Sequence, residues 1–124
     1  MIVGIGLDIT DLKRIRKLYE DKAERFLQKI YSPEEIKTCL ARKDPIPGLA
    51  ARFAAKEAFS KCLGLGWGGK INWSDVAVIN DEKGKPELLL RNNAREATIG
   101  KKIWVSLTHT EEYAAATVIL EEAD

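Results

Sequence analysis

The chain has 124 residues, 45% hydrophobic and 31% charged, which specifies one domain, residues 1–124, able to bury a core without staples. A formal net charge of +1 excludes a global pull toward nucleic acid or a membrane surface, and no apolar run approaches the roughly 20 residues of a spanning helix. The two cysteines, Cys39 and Cys62, form no CxxC pair, and with no secretory apolar segment at the N-terminus they read as free buried thiols of a reducing, cytoplasmic compartment.

Met1 to Ile9 alternates β-branched residues with Gly4, Gly6 and Asp8 and reads as a first strand. Glycines inside a strand mark the close approach of another backbone or a ligand. Asp8, near the strand end, is either a turn or cap aspartate or a functional carboxylate. Thr10 or Asp11 can cap the helix that follows.

Asp11 to Ile30 reads as a basic helix, with Leu12, Ile15 and Tyr19 and then Phe26, Leu27 and Ile30 on its inner stripe. Asp21 and Glu24 have capping-box spacing, so the segment is expected to break near Glu20. Arg14, Arg25 and Phe26 together make a basic surface with an apolar anchor. The plain reading is a solvated charged face; the functional one is a docking surface for an acidic partner, steered by charge. Ser32-Pro33-Glu34-Glu35 is a helix start, with a Ser N-cap, Pro at N1 and an acid at N3. That helix runs through Ile36, Cys39 and Leu40. Asp44-Pro45-Ile46-Pro47-Gly48 reads as a loop that ends it.

Just beyond lies the stretch around which the chain is organised, a helix from Arg52 to Leu63 with Gly64 as its stop. Ala51, Ala55, Ala58, Phe59 and Cys62 make one apolar face. Glu57 and Lys61, four apart, sit on another, which Leu49 and Phe53 continue. An exposed Glu–Lys pair would contribute only about 0.3–0.5 kcal/mol. A helix apolar on two sides is covered, however, and a covered Glu and two Lys need partners.

Gly64, Gly66, Gly68 and Gly69 surround Trp67 in a stretch that is no phosphate loop, since no Lys-Ser/Thr follows the last glycine. Trp67 itself has no readable role. Val76 to Ile79 and Glu87 to Leu90 read as a hairpin around Asp81–Gly84. Asn92 to Thr98 reads as a short helix closed by Gly100. Ile103 to Leu107 and Tyr113 to Leu120 read as two more strands. His109 is the only histidine and lies in a hydroxyl-rich strand end, as a structural hydrogen-bonder or a site residue. With no second histidine and no cysteine cluster, a structural zinc site is not expected. Any metal would be bound by carboxylates and water, as magnesium or manganese are.

Three motifs now stand in order: Gly6-Leu7-Asp8-Ile9 through Arg14-Ile15, Phe53-Ala-Ala-Lys56-Glu57-Ala-Phe-Ser-Lys61, and Ser106-Leu-Thr-His109. With Trp73 and Gly84-Lys85-Pro86, they make the whole chain resemble holo-acyl-carrier-protein synthase, the small bacterial type of 4′-phosphopantetheinyl transferase. Thr108 departs from the family's usual serine but keeps the hydroxyl. The resemblance implies transfer of phosphopantetheine from coenzyme A to a serine of apo-acyl carrier protein, in support of fatty acid biosynthesis. It implies Mg2+, with Mn2+ as an alternative, on Asp8 and Glu57, and Lys61 beside the diphosphate; Asp8, Glu57 and Lys61 are thus the expected catalytic set. Arg52, Lys61 and His109 are expected to hold coenzyme A, and Arg14, Arg25 and Phe26 to dock the carrier. The expected fold is α+β, a small antiparallel sheet on a long central helix, assembled as a homotrimer with sites at subunit interfaces. Two readings from other classes stay open: a binding module that docks an acidic helical protein, and an oligomer subunit whose Glu57–Lys61 pair is an interface salt bridge.

Overall fold

Two glycines decide how the chain packs. A Cβ on Gly6 would fall on the carbonyl oxygen of Ala58, and one on Gly4 would lie 2.5 Å from that of Cys62. Their absence of side chain lets a helix lie backbone to backbone on the first strand. The computed structural model describes residues 1–64 and 71–123; the glycine-rich stretch around Trp67, apart from Gly64, lies outside them.

The elements run β1 (Ile2–Asp11), α1 (Leu12–Ile30), α2 (Pro33–Leu40), α3 (Ile46–Leu63), a 3₁₀ turn (Trp73–Asp75), β2 (Val76–Asn80), β3 (Pro86–Leu90), α4 (Asn92–Glu96), β4 (Lys101–His109) and β5 (Tyr113–Glu122). The fold is α+β. One antiparallel sheet has the order β1-β5-β4, and β2 and β3 form a separate hairpin. Helix α3 packs against β1, β5, β4 and β2. Core residues fall into two clusters along it. Leu49 and Phe53 pack with Ile15, Leu27, Tyr31 and Cys39 of the first two helices and their junction. Phe59 and Ala55 pack with Val118, Leu120, Val76 and Val78 of the sheet and hairpin. Each fully buried side chain of Leu, Val or Phe size stabilises the fold by about 1.5–3 kcal/mol.

Local chemistry explains most boundaries. Asp11 caps α1 by accepting from the Lys13 N–H. The expected break in α1 occurs at Lys22, whose φ and ψ (−147°, 48°) are not helical. At α2, Ser32 and Glu35 form the reciprocal capping box. Gly64 ends α3 in the left-handed region at φ 73°.

The strands run past their expected ends, β1 to Asp11, β4 over Lys101–His109 and β5 to Glu122, and two helix boundaries also differ from the sequence reading. Helix α3 begins at Ile46, not beyond Gly48. The first-turn N–H groups of a helix have no intrahelical partner, so Pro47 costs nothing there, and Asp44 accepts from the Ile46 N–H at 3.1 Å. Helix α4 stops at Glu96. The Thr98 hydroxyl donates to the carbonyls of Ala94 and Arg95 and tightens the last turn.

Candidate active site and docking groove

Helix α3 is buried on nearly every side: among its residues only Pro47, Glu57, Lys61 and Leu63 reach solvent to any extent. Glu57 and Lys61 are one turn apart on the open strip. A helix with so little exposed surface commits it to whatever those two side chains do.

What they face is set by β1. Its even-numbered residues Gly4, Gly6, Asp8 and Thr10 turn toward α3, and its odd-numbered residues turn away. Cys62 lies over Gly4 and Ala58 over Gly6, so helix and strand run antiparallel, and Asp8 continues along the strand toward the turn that carries Glu57. The Asp8 side chain is 13% exposed. The Lys61 ammonium lies 3.1 Å from Asp8 Oδ1 and donates also to the Leu7 carbonyl. The Thr10 hydroxyl donates to Asp8 Oδ2 at 2.8 Å. Asp8, Thr10 and Lys61 therefore meet at an open edge of the core, with Glu57 one helical turn from Lys61.

No group of three His, Cys, Asp or Glu side chains able to cage a metal ion exists among the described residues. The donor chemistry of Asp8 and Glu57 nevertheless fits magnesium or manganese. Both are hard oxygen ligands, and Mg2+ is bound through one or two carboxylates while waters and substrate phosphates complete its shell.

Arg52 and His109 stand apart from this cluster. Arg52 is buried, donating to the Gly48 carbonyl at 3.3 Å and to Asn80 Oδ1 at 3.2 Å, and its Nε has no partner among the described residues. Nine residues of helix put it about 13 Å along the axis from Lys61. Arg42 shares its neighbourhood, since both guanidinium groups border the space beside Gly48. Neither makes an ion pair with a described carboxylate. His109 is exposed at the end of β4, in one row with Ala114 and Thr10. Two strand spacings, about 10 Å, separate that row's ends.

The basic surface expected on α1 is a groove of about 510 Å³. The kink at Lys22 bends the helix so that Arg14 and Leu18 line one part and Arg25, Phe26 and Lys29 the other. Phe53 and Trp73 lie beneath, stacked with ring centroids 5.1 Å apart. The Arg14 guanidinium sits 5.3 Å over the Phe53 ring.

The sequence reading missed the buried pair behind this groove. Lys56 has no exposed surface and lies 2.7 Å from Glu35 Oε1; it donates also to the carbonyls of Trp73 and Val76. Burial pulls the Lys56 pKa down, against the opposing pull of Glu35. Glu35 also accepts from the N–H groups of Ser32 and Val78. The signal was present: a lysine inside an Ala-rich helix with apolar residues on two faces must find a buried anion.

A third feature was not read at all. On the sheet face away from α3, Ile5, Leu7 and Ile9 are 63%, 64% and 68% exposed, and Trp104 is 48% exposed. Ile119 stands between Ile5 and Trp104 in the register. Exposed apolar faces of this kind mark protein contacts or ligand sites.

Comparison with known proteins supplies a family. The model of the 4′-phosphopantetheinyl transferase superfamily matches residues 4–118. The chain is similar to the holo-[acyl-carrier-protein] synthase of Halothermothrix orenii, at 44% identity over 126 residues that cover 98% of this chain and 99% of that one. Its fold is similar to the crystal structure of the holo-(acyl-carrier-protein) synthase from Bacillus anthracis in complex with CoA (3′,5′-ADP), with TM-score 0.84, 36% identity and 99% of both chains covered. It is similar also to the enzyme from Neisseria meningitidis, with TM-score 0.88, 35% identity, and 98% of this chain and 100% of that one covered.

Proposed function

The chain belongs to the 4′-phosphopantetheinyl transferase superfamily, and from that premise we propose that it transfers 4′-phosphopantetheine from coenzyme A to a serine hydroxyl of apo-acyl carrier protein, as a Mg2+-dependent step supporting fatty acid biosynthesis in the cytoplasm. The observation that carries the reading is the contact between Lys61 and Asp8 beside Glu57, on the open strip of an otherwise buried helix.

The reaction asks little covalent work of the protein. The serine oxygen forms a bond to the pantetheine-side phosphorus of the diphosphate, the bridging P–O bond breaks, and adenosine 3′,5′-bisphosphate leaves. Positioning and charge neutralisation dominate such transfers. Asp8 and Glu57 would hold the divalent ion, which when bound supplies charge stabilisation to the diphosphate oxygens. Lys61, 54% exposed at its side chain, turns its ammonium to the diphosphate and to the charge that grows on the leaving group. Glu57 is the candidate acceptor for the serine proton. Arg52, buried and without a carboxylate partner among the described residues, is suited to a phosphate of coenzyme A, with Arg42 beside it; His109 is assigned to the same substrate.

The carrier protein docks through Arg14, Arg25 and Phe26. The apolar sheet face is the contact between copies in a homotrimer, with the active sites at the interfaces. The free, buried thiols of Cys39 and Cys62 suit a reducing compartment, and no described helix is long and apolar enough to cross a membrane.

The test is direct. Apo-acyl carrier protein, coenzyme A and Mg2+ are incubated with the purified protein and the carrier is weighed by mass spectrometry. Gain of one phosphopantetheine arm on the carrier serine is expected, and an unmodified carrier after many equivalents of enzyme would sink the reading.

A further inference from the structure

The groove on α1 rests on a floor that is held from below, and the side chains that hold it take no part in the chemistry above. Trp73 stacks on Phe53 with an interplanar angle of 24°. Its carbonyl oxygen accepts from Lys56 at 3.1 Å. Lys56 is fully buried, and its position is fixed by Glu35, itself fully buried and bonded to two backbone N–H groups on different elements. The floor of the groove is thus tied to α2, α3 and β2 through one closed polar network. Such networks, when every member is satisfied, rigidify what they touch.

The occupant is defined by the groove's chemistry. Arg14, Lys22, Arg25 and Lys29 line it, with no carboxylate among the lining residues. Between these cations lie Phe26, Phe53 and Trp73. A ligand that meets both features carries acidic side chains flanking an apolar one, as on one face of an amphipathic helix. Rim charges act mainly on the rate of encounter, whereas a buried aromatic anchor acts on dissociation. A floor already ordered before binding spares the complex the entropy of ordering it.

Resting on the carrier-protein reading above, we propose that Trp73 is the specificity-determining floor of the docking groove, receiving the apolar side chain of the carrier's acidic helix, and that the buried Lys56–Glu35 pair is the positioning device that presents it.

The full chain is assayed for transfer with coenzyme A and carrier varied in turn, and carrier binding is measured separately by calorimetry. Trp73→Ala is expected to raise the KM and Kd for the carrier by about tenfold or more, the scale of an aromatic hot spot, while the KM for coenzyme A stays near that of the wild type. Trp73→Phe restores most of the carrier affinity. The paired variant Glu35→Gln/Lys56→Met removes both buried charges together, which leaves neither uncompensated. It is expected to raise the carrier KM without Trp73 being touched, and adding Trp73→Ala to it should cost less than the sum of the two effects. A Trp73→Ala enzyme with wild-type carrier affinity, or one in which both KM values rise together, overturns the proposal. If the paired variant does not fold, the Trp73 series decides alone. A wild-type protein that neither binds nor modifies the carrier overturns the proposed function, and this inference with it. Wild-type transfer combined with an indifferent Trp73 overturns only this inference.

Discussion

Lys61 on α3 and Asp8 on β1, fifty-three residues apart in sequence, meet at 3.1 Å. Over half of the lysine side chain is exposed while Asp8 is 13% exposed, so solvent screens the pair in part and it adds on the order of 1 kcal/mol or less to stability. Stability therefore does not account for the arrangement. Lys61→Met and Glu57→Gln are each expected to remain folded yet lose about 10²–10⁴ in transfer rate, the range for a positioned acid–base or charge-stabilising group. Single-turnover transfer at saturating Mg2+, beside the melting temperature, is the measurement. Near-wild-type rates in both variants would remove these residues from the chemistry.

Metal removal should stop transfer, and Asp8→Ala should respond poorly to added Mg2+. Calorimetric titration of Mg2+ into the protein with coenzyme A bound gives a readout independent of turnover. Glu57→Gln is expected to weaken that binding, since a neutral amide is a poorer ligand for a hard cation, whereas Lys61→Met is expected to leave it largely intact. Full turnover in excess chelator would defeat the assignment.

Arg14→Glu should weaken carrier binding and leave coenzyme A binding near normal. The side chain lies on the groove and over Phe53, remote from the Asp8 cluster in function, and a reversed rim charge acts on association. The defect should shrink as salt rises, because exposed charges are screened within about 8 Å at physiological ionic strength. An equal loss for both substrates would instead mark Arg14 as a support of the fold.

Leu7→Asp probes the apolar sheet face. Leu7 is 64% exposed and points away from α3, so within one chain the substitution costs little. In an assembly that buries this face it leaves an unpaired charge in the contact, which is strongly unfavourable. Sedimentation velocity should show a trimer for the wild type and a folded monomer for the variant, with transfer lost alongside. A wild-type protein that sediments as a monomer would refute the assembly.

Acid should weaken the fold partly through Glu34. Its hydrogen bonds with Arg91, and then with its own backbone, lower its pKa from 4.5 to about 2. A carboxyl whose folded pKa is depressed contributes stability above its unfolded pKa and loses it as pH falls through the folded value. Melting temperatures measured down through this window should fall less steeply for Glu34→Gln than for the wild type. Parallel curves would show that the pair is too exposed to matter, its side chains being 38% and 42% accessible.

Local signals were legible and distant ones were not. The Ser32–Glu35 capping box needs only four residues, and the structure forms it as the spacing demands. The glycines of β1 announced a close backbone, and α3 is that backbone. Glu35, however, was read as a cap acid alone. Its bond to Lys56 spans twenty-one residues and depends on α3 being covered on nearly every side, which no single segment specifies. The stack of Phe53 on Trp73 and the gathering of Arg42 beside Arg52 likewise depend on how helices and hairpin converge. The start of α3 was missed because Pro-x-Pro-Gly reads as a breaker in sequence, yet Pro fits a first turn.

The alternation along β1 has a consequence for how this protein can change. One set of its residues admits nothing larger than hydrogen under Ala58 and supplies Asp8; the other presents Ile5, Leu7 and Ile9 outward. Because neighbours on a strand face opposite ways, deleting a single residue between Gly6 and Thr10 would exchange the two sets downstream. Loss of Leu7, for instance, would drive Ile9 at the helix and turn the Asp8 carboxylate into the oily exterior. Assembly and chemistry are written on alternate letters of the same ten-residue word, so a frameshift of one cannot spare either, while point changes on one side can drift without disturbing the other.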